Sequence, residues 1–421
     1  MRRSIAFAAA VLSVVGLSAC SGGASSPTSS DSRVTITFWN SFTGPDRPGV
    51  EGLVKKFNDS QSSVKVDMTI MPGDVMTQKL LPAYQSKTGP TVVGMDPSQV
   101  PGFAEKKVIQ PIDDLYASGQ LDLSKLTSAQ ISATTWKGKH YGAPMSSATA
   151  MLYYNKDLLK AAGYAAPAKT LEGVADQAVK LTKYTAGKNT TNQYGLVLAD
   201  HAAVQTWACL IWAWGGGIVA ADGKSSEFSS PATVAAVDYW NDKIQKNHIS
   251  PVGLSGVEAG ALFSSGRAGF NIEGPWAASG YKEAGLNFGV VPVPAGPSAQ
   301  SSVAVGANLA LSSSATDAER KAALSFMAYW NAKPSQVYWS VTTSYPPNRT
   351  DIGLSEISAN PTAEAFAAPQ NARFFPGGVT INYSKVGDDI FTPAIQRITN
   401  SQGSARDVLS SSSDQITAAL K

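Results

Sequence analysis

The N-terminal third of this chain alternates strand and helix signals, and that alternation restricts the fold more than any other feature. Val34-Thr35-Ile36-Thr37-Phe38-Trp39 is β-branched and aromatic, which predicts a strand, and Gly44, Pro45 and Pro48 follow as turn signals. Val50, Leu53, Val54 and Phe57 then stand at i, i+3, i+4 and i+7, one face of a packed helix. A second strand over 64–71, a helix over 75–84 and a third strand over 91–95 complete the pattern. Parallel neighbours need a crossover, so this order predicts a largely parallel sheet covered by helices.

Helical signals dominate later, over 156–162, 171–184, 231–245, 318–330 and 334–341. Asn155 is placed to cap one N-terminus, Gly163 to stop that helix, and Pro231 to open another. Extended pieces are expected at 268–272, 286–293 and 308–311. With 421 residues, 15% charged and 43% hydrophobic, the chain has core enough for two compact α/β lobes.

The extreme N-terminus is of another kind. Arg2 and Arg3 precede a small and apolar run ending Leu17-Ser18-Ala19-Cys20, and Ser21 to Ser32 is almost entirely serine, glycine and threonine. A charged start, an apolar stretch too short to span a bilayer and a small-residue cleavage site make an export signal. Net charge is +3 with lysine and arginine scattered, which points away from nucleic acid. The second cysteine, Cys209, stands among Trp207, Ala208, Leu210 and Ile211 and reads as a buried small hydrophobe.

Catalytic and metal signals are weak. His140, His201 and His248 are widely separated and lack metal-ligand spacing, and there is no GxSxG, GxxxxGKS or strand-to-helix GxGxxG. No cofactor and no metal is expected, which shifts weight toward binding.

The nine tryptophans carry more. Trp39 and Phe42 flank Asn40-Ser41, Trp276 follows Gly274-Pro275, and Tyr345 precedes Pro346-Pro347. A flat ring beside amides, hydroxyls and a carboxylate suits a sugar, whose C–H face packs on the ring while its hydroxyls need partners. Trp207, Leu210, Ile211 and Trp214 share one helical face, so core packing and ligand contact both fit Trp207 and Trp214. Trp212 points elsewhere.

The order of FWNSFTG, TGPTVVGMDPSQVPGFAEKKVIQPIDDL, WKGKHYGAPMSSATAMLYYNKDLLKAAGY, FSSGRAGFNIEGPWAAS, VVPVPAGPSAQSSVAVGANLAL and TTSYPPNR resembles the extracytoplasmic solute-binding proteins of carbohydrate ABC importers, the family that includes the maltose-binding protein. The likeness runs from about Val34 to Arg349. The start of the chain resembles a lipoprotein signal, which would make Cys20 the acylated first residue of the mature protein after a signal over 1–19. Residues 20–32 would then tether the body to the membrane, the flexible part spanning roughly 20 Å.

The resemblance implies a two-lobed α/β fold of the periplasmic-binding-protein type II class, with the ligand held between lobes joined by crossing strands. Lobe I would comprise 33–141 and 291–340, and lobe II 142–290 and 341–421, with crossings near 141–146, 290–295 and 341–346. It implies ligand contacts from Asn40, Ser41, Phe42, Asp96, Ser146, Ser147, Glu273, Trp276, Asn308 and Tyr345, with Trp207 and Trp214 as further candidates. Other roles compete: Asn40 and Ser41 can cap a turn, Asp96 can N-cap before Pro97, Glu273 can make an interlobe salt bridge, and Asn308 can bond backbone. Two positions depart from the family, Thr91 where aspartate is frequent and Trp214 where asparagine is.

The implied function is non-catalytic capture of a carbohydrate, expected to be an oligosaccharide, for permease subunits of an ABC importer. The protein would be a monomer anchored by lipid at the outer face of the bacterial cytoplasmic membrane. The alternative within the class is a glycerol-phosphate or glycerophosphodiester ligand, for which Arg349 or Arg373 could supply the cation. A lipid-anchored glycosidase would need two carboxylates roughly 5 to 10 Å apart, and Glu273 with Asp96 is the pair available.

Overall fold

The computed structural model describes residues 33–421 apart from 189, 202–203 and 368–370. Cys20, the signal and the tether lie outside the described residues. Strand β1 (Val34–Asn40) alternates as its sequence requires: Ile36, Phe38 and Asn40 face inward while Thr35 and Thr37 face solvent. Helix α1 (Arg47–Ser60) buries Val50, Leu53, Val54 and Phe57, the stripe read from the spacing. Strand β2 (Val64–Ile70), helix α2 (Gly73–Gln85) and strand β3 (Val92–Met95) follow.

β1 lies between β2 and β3, parallel to both. The sheet then turns antiparallel. The long strand Ser302–Ser312 pairs with β3 through Asn308–Leu311 and with Gly142–Thr149 along most of its length. The expected largely parallel sheet is therefore mixed, with the long strand running against β3 and Gly142–Thr149. In a strand entered from a distant part of the chain, direction is not dictated by a short crossover.

A second sheet runs in the order Phe288–Pro292, Met151–Asn155, Ala268–Glu273, Thr190–Val197, Lys183–Thr185. All six residues of Ala268–Glu273 are buried, as the central strand of a covered sheet must be. Local chemistry fixes the flanking helices. The Asn155 side chain accepts from the amides of Asp157 and Leu158, Gly163 takes φ +86° after the helix it ends, and Ser230 caps the helix that Pro231 opens.

The first and last passages between the sheets differ from the expected crossings. Residues 142–146 already belong to the first sheet, where Gly142, Ala143 and Pro144 pair with Ala310, Leu309 and Asn308; the chain changes sheet at Ala150. It returns between Pro292 and Ser302. After helix Lys333–Thr343 the chain stays by that helix, since Ile352, Ile357 and Ala363 cluster with Val337. Ala372–Phe374 then pairs with Ser302–Ala304, and helices Thr392–Thr399 and Ala405–Ala419 join the second core with Trp240 and Ile244.

Two main cores result. One gathers Ile36, Phe38, Leu53, Phe326 and Trp330; the other gathers Leu152, Leu196, Trp207, Ile211 and Phe270. The first is continuous with Tyr153, Phe263 and Tyr281 from around the second sheet, so the two lobes are packed together along one seam.

Candidate functional site between the lobes

Two neighbouring features occupy the boundary between the sheets. The first is a cavity of about 940 Å³. Pro97 and Ser98, just after β3, contribute to it together with the helix Ser128–Thr134, the bridging strand residues Ser147 and Ala304, and the turn Pro376-Gly377-Gly378. Its charged lining residues, among those described, are Arg349 and Arg373. The Arg349 fork is taken up by Asp351, at 2.8 and 2.7 Å. The Arg373 guanidinium lies 4.8 Å from the ring centroid of Trp212, a cation–π placement that leaves its N–H edges available.

The second feature is the closed seam beside it. Asn40, at the end of β1, is buried; its Oδ1 accepts from the Phe42 amide while Nδ2 has no partner. Asp46, opening α1, is buried with Oδ1 unpartnered. From the second sheet comes Glu273, buried with Oε2 unpartnered. Tyr345 feels both of these carboxyls and is packed on Phe42 and Trp339 at centroid distances of 6.0 and 5.2 Å. Trp276 stays half-buried, its ring folded over the Cα of Gly274. Tyr153 donates to the Gly274 carbonyl at 2.8 Å and packs on Phe366, which lines the cavity.

Burial dominates the electrostatics. It pushes Glu273 up to about 8 against hydrogen bonds from Trp276 and Asn271, and Asp46 up to about 7. Tyr345, Tyr153 and Tyr281 are raised by burial and by these carboxyls nearby. Unmet polar atoms in a dry place are costly. Here they cluster where two lobes meet.

The sequence candidates divide accordingly. Asn40, Phe42, Glu273, Trp276 and Tyr345 come together at the seam, and Ser41 lies at its edge beside Gly73. Ser147 lines the cavity, while Ser146 sits behind it with Oγ accepting from the Ala307 amide at 3.1 Å. Asp96 caps the turn at Pro97, accepting from the Ser98 amide at 2.7 Å. Its carboxyl is raised by burial against that bond, and it faces Tyr383 from the C-terminal part of the chain. Asn308 donates to the Ala133 carbonyl at 2.7 Å, so it fixes the helix that walls the cavity.

Trp207 is a core ring, its Nε1 donating to the Ala199 carbonyl at 3.1 Å, and Trp214 packs on Tyr239 and Trp240. Neither lines the cavity. Cys209 is buried, and burial pushes its thiol up to about 11. Trp136, Phe366 and, apart from Arg373, the 372–380 segment line the cavity without having been singled out from sequence. An aromatic beside the tight Lys137-Gly138 turn was the one local signal available.

Comparison with known proteins agrees with this architecture. Residues 52–365 match the model of the bacterial extracellular solute-binding protein family. The chain is 26% identical over 327 residues to the maltodextrin-binding protein MdxE of Bacillus subtilis, covering 71% of this chain and 69% of that protein. It is 25% identical over 327 residues to the sn-glycerol-3-phosphate-binding periplasmic protein UgpB of Agrobacterium fabrum, covering 74% and 73%. The maltose-bound MalE3 structure from T. maritima superposes with a TM-score of 0.81 at 21% identity, over 91% of this chain and 99% of that one. A match over most of the chain, on a two-lobed α/β body with its polar residues gathered between the lobes, makes this protein a member of the bacterial extracellular solute-binding protein family.

Proposed function

We propose that this protein captures an oligosaccharide between its lobes and delivers it to the permease of an ABC importer. The observation that carries the reading is the seam itself. Asn40 and Asp46 on one lobe and Glu273 on the other each leave a buried polar atom unpartnered, and Glu273 is hydrogen-bonded by the half-buried Trp276. A sugar answers both needs, apolar contact for the ring and hydroxyls for the orphaned groups. Hinging about the passages at Ala150, between Pro292 and Ser302, and along 371–383 would open and close the two walls. The relation to a maltodextrin-binding protein supports the same class.

The anchor and location complete the proposal: a monomer held by acylated Cys20 at the outer face of the cytoplasmic membrane, with permease subunits as partners. Non-catalytic action fits the placement of the two carboxylates. Glu273 keeps company with Tyr153, Tyr281 and Tyr345, whereas Asp96 faces Ser98 and Tyr383. No shared scissile bond is suggested.

A second reading, a glycerophosphodiester, is favoured by Arg373, a cation in a cavity whose described lining holds no carboxylate. It is also supported by the relation to UgpB. A thermal-shift screen of mono- and oligosaccharides with glycerophosphodiesters separates the readings. A ligand at 100 times its Kd adds about 2.7 kcal/mol, and the reading predicts that shift from an oligosaccharide. Stabilisation by glycerophosphodiesters alone would replace it with the second reading.

A further inference from the structure

Trp136 is held as a binding platform is held. It lies in a small hairpin, Thr135–Trp136 against Lys139–His140, closed by Lys137 and Gly138 at φ 47° and 75°. Positive φ at both central residues is the tight turn that matches strand twist. The indole N–H donates to Glu105 at 2.8 Å. Lys137 pairs with the same carboxylate at 2.6 Å and sits 5.5 Å from the ring centroid. Part of the ring packs on the cluster of Val100 and Ala104, and the remainder lines the cavity.

A core tryptophan is placed to bury its ring and satisfy its N–H. This one has its N–H satisfied, its position fixed from three directions, and apolar surface turned to an open space. Ser132 and Ser147 bring hydroxyls to the same cavity. Its volume of about 940 Å³ is at the upper end of the roughly 300–1,000 Å³ typical of small-molecule sites, room for more than one sugar unit, and it lies beside the seam that holds Trp276.

Resting on the oligosaccharide reading, we infer that Trp136 is the stacking surface for an outer sugar unit and makes the protein select for ligand length. The seam holds one end of the chain; Trp136 holds a unit further along. Glu105 and Lys137 act as positioning residues through the ring.

Calorimetry with maltose, maltotriose and maltotetraose, or with the matching series of whichever linkage the screen returns, tests this on wild type, Trp136→Ala and Trp136→Phe. Wild-type affinity should rise with length. Trp136→Ala should lose about tenfold or more for the longer ligands and little for the disaccharide, Trp136→Phe should recover most of it, and the unliganded melting temperature should hold. Retention of the full length increment by Trp136→Ala overturns the inference. So does an equal loss at every length accompanied by early melting, which marks a structural ring. Failure of wild type to bind any oligosaccharide instead removes the parent reading, and the inference with it.

Discussion

A Cβ on Gly280, in the helix Ala278–Glu283 of the second lobe, would stand 2.6 Å from Cγ of Pro45 in the loop after β1. The lobes meet there with no room for a methyl group. Gly102 is in the same position against the Ile381 carbonyl on the other side of the cavity. Gly280→Ala should therefore hold the lobes apart, weakening ligand affinity and leaving a larger radius of gyration at saturation. Unliganded stability should hold or rise, because alanine is favoured over glycine in a helix interior by about 1 kcal/mol. A variant that binds and compacts as wild type would show that the seam yields.

Acidity should tighten the same seam. Glu273 is pushed from the usual 4.5 to about 8 and Asp46 from 3.8 to about 7. Within those windows the folded protein holds protons that the unfolded chain has released, so stability falls as pH rises. The melting temperature should decline between about pH 5 and 8, and Glu273→Gln, which has no proton to lose, should flatten the upper part of the decline. Parallel curves for the two proteins would contradict the assignment.

Trp207 should behave as core. Its ring is fully buried between helix Val204–Ala213 and the second sheet, so Trp207→Ala should cost about 3–5 kcal/mol with affinity intact in the folded fraction. A large loss of affinity without destabilisation, measured by calorimetry beside thermal melting, would move Trp207 to the ligand.

Cys20→Ser should block acylation and leave the protein unprocessed or released. Palmitate labelling and membrane fractionation at wild-type levels would refute the anchor.

The strands and helices with strong periodicity were legible. Val50, Leu53, Val54 and Phe57 fall on the buried face of α1, and the Asn155, Gly163 and Pro231 signals mark real helix ends. Gly142–Thr149 was not legible as a strand because glycine, alanine, serine and proline carry little β propensity. Its place is fixed by pairing with Ser302–Ser312, far along the chain. The candidate residues that the structure gathers at the seam stand in short motifs, at Asn40-Ser41-Phe42, at Glu273-Gly274-Pro275-Trp276 and at Tyr345 before Pro346-Pro347. Of the cavity lining, Ser147 and Arg373 were candidates from the sequence, whereas Trp136 and Phe366 were not. No local pattern announces residues that meet only when two lobes close.

Trp276 bears the central claim, that a sugar lies between the lobes on this ring. Calorimetric titration of wild type and Trp276→Ala with the oligosaccharide that stabilises the protein, beside unliganded melting curves of both, measures it most directly. An aromatic anchor cut to alanine commonly costs about 2 kcal/mol or more, so affinity should fall about thirtyfold or more, while the half-buried ring leaves the melting temperature nearly unchanged. Wild-type affinity in a variant that melts many degrees early would make Trp276 a structural ring and contradict the account.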